Sequence, residues 1–102
     1  MHIVTKKHLL EAAETYKDAA EEIKAWPAIV KGAQWHNFPK VRAIFKDADP
    51  VGKFVIFDIR HNRYRLVTII HYTKTIEGKH TEGHVFIRSF FDAQGIQQSR
   101  TG

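Results

Sequence analysis

Cysteine is absent from the 102 residues, which excludes disulfide frameworks, cysteine-bearing zinc sites and thiol nucleophiles together. No apolar run approaches the ~20 residues that a membrane helix needs. The opening Met-His-Ile-Val-Thr-Lys-Lys holds no hydrophobic signal core. No internal repeat or low-complexity stretch interrupts the chain. These absences lead to the expectation of a soluble, cytoplasmic protein with no membrane partner.

What is present fits one globular domain over residues 1–102. Hydrophobic residues make up 43% and aromatics 12%, well above the range of disordered chains. A chain of this size buries roughly 65% of its unfolded surface, so it needs no structural metal to fold. Lys plus Arg is 16 and Asp plus Glu is 11, a net charge of +5. The excess lies in the second half, where residues 51–102 carry eight bases against four acids, and five of the six arginines. An arginine-rich half that also holds the strands points to a polyanion-binding sheet face, with a merely solvated basic surface as the plain alternative.

The hydrophobic period divides the chain. Residues 2–6 alternate weakly, as a short strand does. Leu9, Ala13, Tyr16, Ala20 and Ile23 then recur at helical spacing. Asp18 and Glu21 form a capping-box pair, which places a break near Lys17 and starts a second helix there. That helix runs through Ile23, Trp26, Ile29 and Val30 to Gly32, with a kink expected at Pro27. Trp35 to Phe45 reads as a connector with one helical turn after Pro39, and Trp26 and Trp35 read as packing residues. Asp47 to Gly52 is a turn cluster. From Lys53 the period becomes that of strands, over Lys53–Ile59, Arg63–Thr73 and His84–Phe91. His61-Asn62 joins the first two as a hairpin, and Thr75–Gly83 is a polar loop before the third. The expected fold is therefore α+β, with a short N-terminal strand and two helices packed on a mainly antiparallel sheet that contains a three-stranded meander.

Alternation on the second long strand puts Tyr64, Leu66, Thr68, Ile70 and Tyr72 on one face and Arg65, Val67, Ile69 and His71 on the other. The first set is the better core face. Arg65 is then left on the open face. Ile56 and Asp58 join it there from the preceding strand, and Phe86, Arg88 and Phe90 from the following one. Arginine grips phosphate through a rigid fork, and aromatic rings stack on unpaired bases. The competing account is a cross-strand Arg65–Asp58 ion pair with no further role.

The run from Phe54 to Val67, Phe-Val-Ile-Phe-Asp-Ile-Arg-His-Asn-Arg-Tyr-Arg-Leu-Val, resembles the signature of HigB-type toxins of the RelE superfamily: a Phe-Asn-Ile strand, a turn with Asn, then Tyr-Arg-Leu. Ile3 to Lys7, Leu10-Glu11-Ala12, Trp35-His36-Asn37-Phe38 and the Asp49 to Gly52 turn fit the same family, so the likeness spans about residues 2–91. The resemblance implies a RelE-like fold and a toxin of a type II toxin–antitoxin system that cleaves mRNA in the ribosomal A site. It also implies neutralisation by a HigA-like antitoxin with a helix-turn-helix domain. Arg65, in the arginine position of Tyr-Arg-Leu, would stabilise the scissile phosphate, with Asn62, Arg63 and Arg88 as RNA-binding neighbours. No metal or cofactor is expected, because the RNA 2′-hydroxyl attacks its own phosphate and the protein supplies acid, base and charge stabilisation.

The end of the chain departs from that family. After Ile87-Arg88 its members carry a segment like Thr-His-x-Glu-Tyr-Asp, whereas here Asp92-Ala93-Gln94-Gly95-Ile96-Gln97 stands in its place. One explanation lies in the genetic code. With Asp as GAC, Ala as GCA, Gln as CAA or CAG, Gly as GGA, Ile as ATA and the next Gln as CAA followed by C, reading one nucleotide later gives ACG CAC AAG (or AGG) GAA TAC AAC, which spells Thr-His-Lys (or Arg)-Glu-Tyr-Asn. Residues 92–102 are accordingly read as a divergent tail, with a frameshift near Asp92 as the hypothesis, and activity is expected to be weakened or lost. The runner-up is a non-catalytic RNA- or protein-binding module on the same fold. A gyrase-directed ParE-type toxin keeps the fold and changes the target, but matches the first strand and hairpin less well.

The histidines weigh little beside this. His80, Glu82 and His84 alternate like metal ligands but lie at a loop, and the His-x-Glu echo of zinc deaminases lacks its Cys-x-x-Cys partner. His61 reads as solvated, and His71 as a weaker general-base candidate on the open face.

Overall fold

A computed structural model describes residues 1–93. In chain order the elements are β1 (His2–Val4), α1 (Lys7–Thr15), a 3-10 turn (Lys17–Ala19), α2 (Ala20–Gly32), α3 (Phe38–Ile44), β2 (Asp49–Val51), β3 (Phe54–Ile59), β4 (Tyr64–His71), β5 (Lys74–Ile76), β6 (Lys79–Thr81) and β7 (His84–Asp92). The main sheet has the order β1-β7-β4-β3-β2. β3, β4 and β7 form the antiparallel meander. β2 extends it antiparallel at one edge, while β1 lies parallel to β7 at the other. The α+β class, the short first strand and the meander thus stand as expected.

Helices cover one face of this sheet. Leu9 of α1, Ile23, Trp26 and Val30 of α2 and Val41 of α3 are buried against Val55, Phe57, Leu66, Val85 and Ile87 of the strands. Trp26 and Trp35, each 2% exposed, gather with Phe45 and Phe57 into an aromatic cluster whose ring centroids lie 5.1–6.4 Å apart. These separations suit edge and offset ring contacts. The packing role expected of both tryptophans is therefore met.

Several local expectations need correction. Among the described residues there are three α-helices, not two: Asn37 accepts from the Lys40 backbone N–H at 3.2 Å and Pro39 lies in the first turn, which starts α3 as a full helix rather than a single turn. The Asp18–Glu21 capping box does not form. Ala19 is the N-cap of α2 without a side-chain cap, because the Asp18 carboxylate accepts from the Tyr64 phenol instead. Ile29 is 44% exposed, since Val30 takes the inward position beside it. The turn cluster contains the edge strand β2. The polar loop after β4 folds as the hairpin β5–β6, turning through Glu77 and Gly78 at φ 51° and 79°, a left-handed pair that suits a two-residue connection.

Candidate functional site

The face of β4 turned away from the helices follows from its alternation. Tyr64, Leu66, Thr68 and Ile70 are buried, while Arg65, Val67 and Ile69 are half-buried and His71 is exposed. On β3 the same open face carries Phe54, Ile56 and Asp58. Asp58 and Arg65 are directly paired across the strands. Arg65 Nη1 donates to Asp58 Oδ1 and, at 3.2 Å, to Asn62 Oδ1. The ion pair that sequence offered as the plain alternative does exist. It fixes the guanidinium at the base of the β3–β4 turn, with its side chain still 35% exposed.

The third strand corrects the expected face. Phe86 pairs with Ile69, Ser89 with Val67, Phe90 with Leu66 and Phe91 with Arg65, and the register slips between Val67 and Thr68. Arg88 is the extra residue of this β-bulge. A bulge reverses the alternation beyond it. Phe86 therefore keeps to the open face, whereas Phe90 turns to the helices and packs on Tyr16 and Tyr64, each at 5.6 Å. Phe91, not Phe90, is the aromatic residue opposite Arg65. Sequence reasoning missed it because one inserted residue is invisible in a period-2 pattern.

The turn between β3 and β4 is strained. Arg60, His61 and Asn62 have φ of 56°, 51° and 73°, a run of left-handed conformations that costs about 1–2 kcal/mol for an ordinary residue and less for Asn. Such strain persists only where surrounding contacts hold it. Here the Arg60 N–H donates to Glu22 Oε2 at 3.0 Å and the Arg63 N–H to the Arg60 carbonyl at 3.1 Å. Beside them the Tyr64 phenol donates to Asp18 Oδ1 at 2.7 Å. That bond holds the Asp18 carboxyl below its ordinary pKa, with Arg60 adding to the effect. Burial and the same bond push the Tyr64 phenol up.

Every arginine of the turn has an acidic partner. Arg60 Nε lies 4.0 Å from Asp18, Arg63 Nε lies 3.6 Å from Asp92, and Arg65 holds Asp58. The three arginines around the turn are thus each paired locally, with carboxylates drawn from the 3-10 turn, β3 and β7. The exposed Arg60–Asp18 pair contributes only about 0–1 kcal/mol, while the Arg65–Asp58 pair is part-buried. Arg88 makes none of the ion pairs found among the described residues and is exposed.

Of the residues expected from sequence, Asn62 and Arg65 are brought into contact, whereas Arg63 lies in the turn before β4 with its guanidinium 5.7 Å over the Tyr64 ring and paired with Asp92, away from Arg65. Arg88 stands three residues from the partner of Arg65, about 10 Å along the sheet. His71 shares the face of Arg65 but lies six residues away, about 20 Å along the strand, too far to act on a phosphate held by Arg65. His80 and His84 diverge, the first meeting His36 and the second His2. Among the described residues no group of three or more His, Asp or Glu side chains is placed to hold a metal. Gln94 to Gln97, where the family's acid–base segment would fall, lie outside the described residues. Arg60 and Phe91 join the site without having been singled out beforehand.

Residues 19–91 match the HigB toxin family, the RelE-like toxic component of a toxin–antitoxin system. That is well over half the chain, which therefore belongs to this family. A search of curated proteins finds no match.

Proposed function

We propose that this HigB-family chain is the scaffold of a ribosome-dependent mRNA endonuclease, weakened or inactive with its present tail, and neutralised in the cytoplasm by a HigA-like antitoxin. Membership of the family makes it a toxin-type component with an antitoxin partner. The single observation that supports an RNA-cleaving surface is the open sheet face on which Arg65, steadied by Asp58 and Asn62, lies opposite Phe91. A guanidinium there offers a phosphate two parallel donors, and the ring offers a base a stacking surface. Arg63 and Arg88 extend the basic track to neighbouring phosphates.

The chemistry needs three contributions. A base takes the 2′-hydroxyl proton, an acid protonates the leaving 5′-oxygen, and a cation stabilises the charge on the phosphate between them. Arg65 supplies the last. It stays protonated and is a poor base. Tyr64, though next to it in sequence, points to the core, where its hydroxyl donates a hydrogen bond to Asp18. The missing acid and base are what a Thr-His-x-Glu-Tyr-Asp segment would bring, at about 10²–10⁴-fold each. The family match ends at residue 91, one residue before the substituted segment, which supports reading Asp92 onward as divergent.

A second reading, a non-catalytic RNA- or protein-binding module, is favoured by the pairing of Arg60, Arg63 and Arg65 with carboxylates. Co-sedimentation with translating ribosomes, followed by primer extension on the mRNA, tests both. The endonuclease scaffold should pellet with ribosomes, lose this with Arg65→Ala, and leave at most faint cuts. No ribosome association at any salt concentration would defeat the first reading.

A further inference from the structure

A second concave surface lies on the helical side of the molecule, away from Arg65. It is a groove of about 500 Å³ between α1, α2 and β1. Leu10 of α1 and Pro27 and Ala28 of α2 form apolar parts of its lining. Leu10 is 57% exposed there, a large apolar side chain at the mouth of an apolar trough. Three lysines, Lys6, Lys24 and Lys31, stand in the same lining against one acid, Glu82. Their spacing is helical: Lys24, Ala28 and Lys31 fall on one stripe of α2, and Lys6 precedes Leu10 by one turn. None of the three lysines is in an ion pair among the described residues, in contrast to the arginines of the turn.

We propose that this groove is the docking site for an acidic, amphipathic helical segment of the antitoxin. The inference rests on the toxin–antitoxin reading and adds to it the place and chemistry of the contact. An apolar floor wants leucine- or valine-like side chains at i, i+3 and i+4. Unpaired lysines around it want carboxylates on the flanks of the same helix, which sets register and speeds encounter more than it adds affinity. A nucleic acid would meet the lysines but has nothing to place on the floor. A second copy of this chain, at +5, would bring basic charge to a basic rim. Docking here leaves the Arg65 face uncovered, so the antitoxin would hold the toxin without occupying its RNA surface.

Two measurements on the full chain test this. In the first, fluorescence anisotropy follows a labelled helical peptide with leucines at i, i+3, i+4 and i+7 and glutamates elsewhere, against its counterpart with lysines. The glutamate peptide should bind at least about tenfold more tightly, and Leu10→Glu or Ala28→Glu should each weaken it by about tenfold or more. Ile29→Glu is the control, an exposed position of α2 outside the groove, and should change nothing. Equal binding of the two peptides, or an equal loss with Ile29→Glu, overturns the groove assignment. In the second, the tagged chain is isolated with the antitoxin co-expressed from its own operon. Leu10→Glu should release the antitoxin and Ile29→Glu retain it. Antitoxin retained by both Leu10→Glu and Ala28→Glu overturns the docking site and leaves the toxin–antitoxin reading intact. A wild-type chain that captures no antitoxin overturns both.

Discussion

The Tyr64 phenol donates to the Asp18 carboxylate at 2.7 Å across 46 residues of sequence, joining the start of β4 to the turn that leads into α2. This one bond withdraws Asp18 from capping the helix and, with Glu22 on the Arg60 N–H, fastens the arginine-bearing hairpin to the helical layer.

Its pH dependence follows from the shifts at both ends. The lowered pKa of Asp18 means that its contribution is present above the unfolded value of about 4 and is lost as pH falls through the lower folded value. The raised pKa of Tyr64 means that its contribution is present below about 10 and is lost as pH rises through the folded value. Tyr64→Phe should therefore lower the thermal midpoint between pH 5 and 9, by an amount that shrinks at either extreme. A Tyr64→Phe deficit that stays constant from pH 3 to pH 7 would remove Asp18 from the account.

The bulge at Arg88 separates two adjacent rings. Phe90→Ala should cost about 2 kcal/mol of stability, since its ring packs on Tyr16 and Tyr64. Phe91→Ala should leave the denaturant midpoint nearly unchanged and weaken single-stranded RNA binding by about 1–3 kcal/mol, the range for loss of a stacking ring. Urea titration with RNA anisotropy on the two variants checks the register, and an exchange of the two phenotypes would place the slip elsewhere.

RNA affinity should depend on salt through the arginines. Arg65→Ala and Arg88→Ala should each weaken binding and reduce the salt slope by about one counterion. Asp58→Asn should do the reverse for affinity, because a phosphate no longer competes with a carboxylate for Arg65. If Asp58→Asn binds RNA less well than wild type, Asp58 orients Arg65 more than it screens it.

Gly83 marks the close approach of β1 to the central strands. A Cβ there would meet the His71 carbonyl at 2.5 Å and the Met1 side chain at 2.8 Å. The carbonyl belongs to a paired strand and cannot move aside cheaply. Gly83→Ala should destabilise the fold by about 1–3 kcal/mol, read as a shifted midpoint in chemical denaturation.

The long-period features were legible in sequence and the exceptions were not. Alternation along β4 correctly separated Tyr64, Leu66, Thr68 and Ile70 from Arg65, Val67 and Ile69, because burial on one face imposes period 2. It failed on β7, where a single unpaired residue moved Phe90 and Phe91 to opposite faces from those expected. The capping box at Asp18 was a sound local pattern that lost to a tertiary hydrogen bond. The hairpin at β5–β6 was hidden because all its residues are exposed, so no hydrophobic alternation marks them. Within the candidate site, the contact of Arg65 with Asn62 joins two residues that sequence singles out, while the contacts of Arg60 depend on a left-handed turn and on acids distant in the chain.

The most direct test of the account is a paired induction of two chains, with growth followed and mRNA cleavage read by primer extension. One is the chain as it stands. The other has Asp92 to Gln97 replaced by Thr-His-Lys-Glu-Tyr-Asn. The unmodified chain should neither arrest growth nor cut mRNA appreciably, and the replacement should restore both, with relief on antitoxin co-expression. Growth arrest with mRNA cleavage by the unmodified chain, at a level the replacement does not raise, would contradict it.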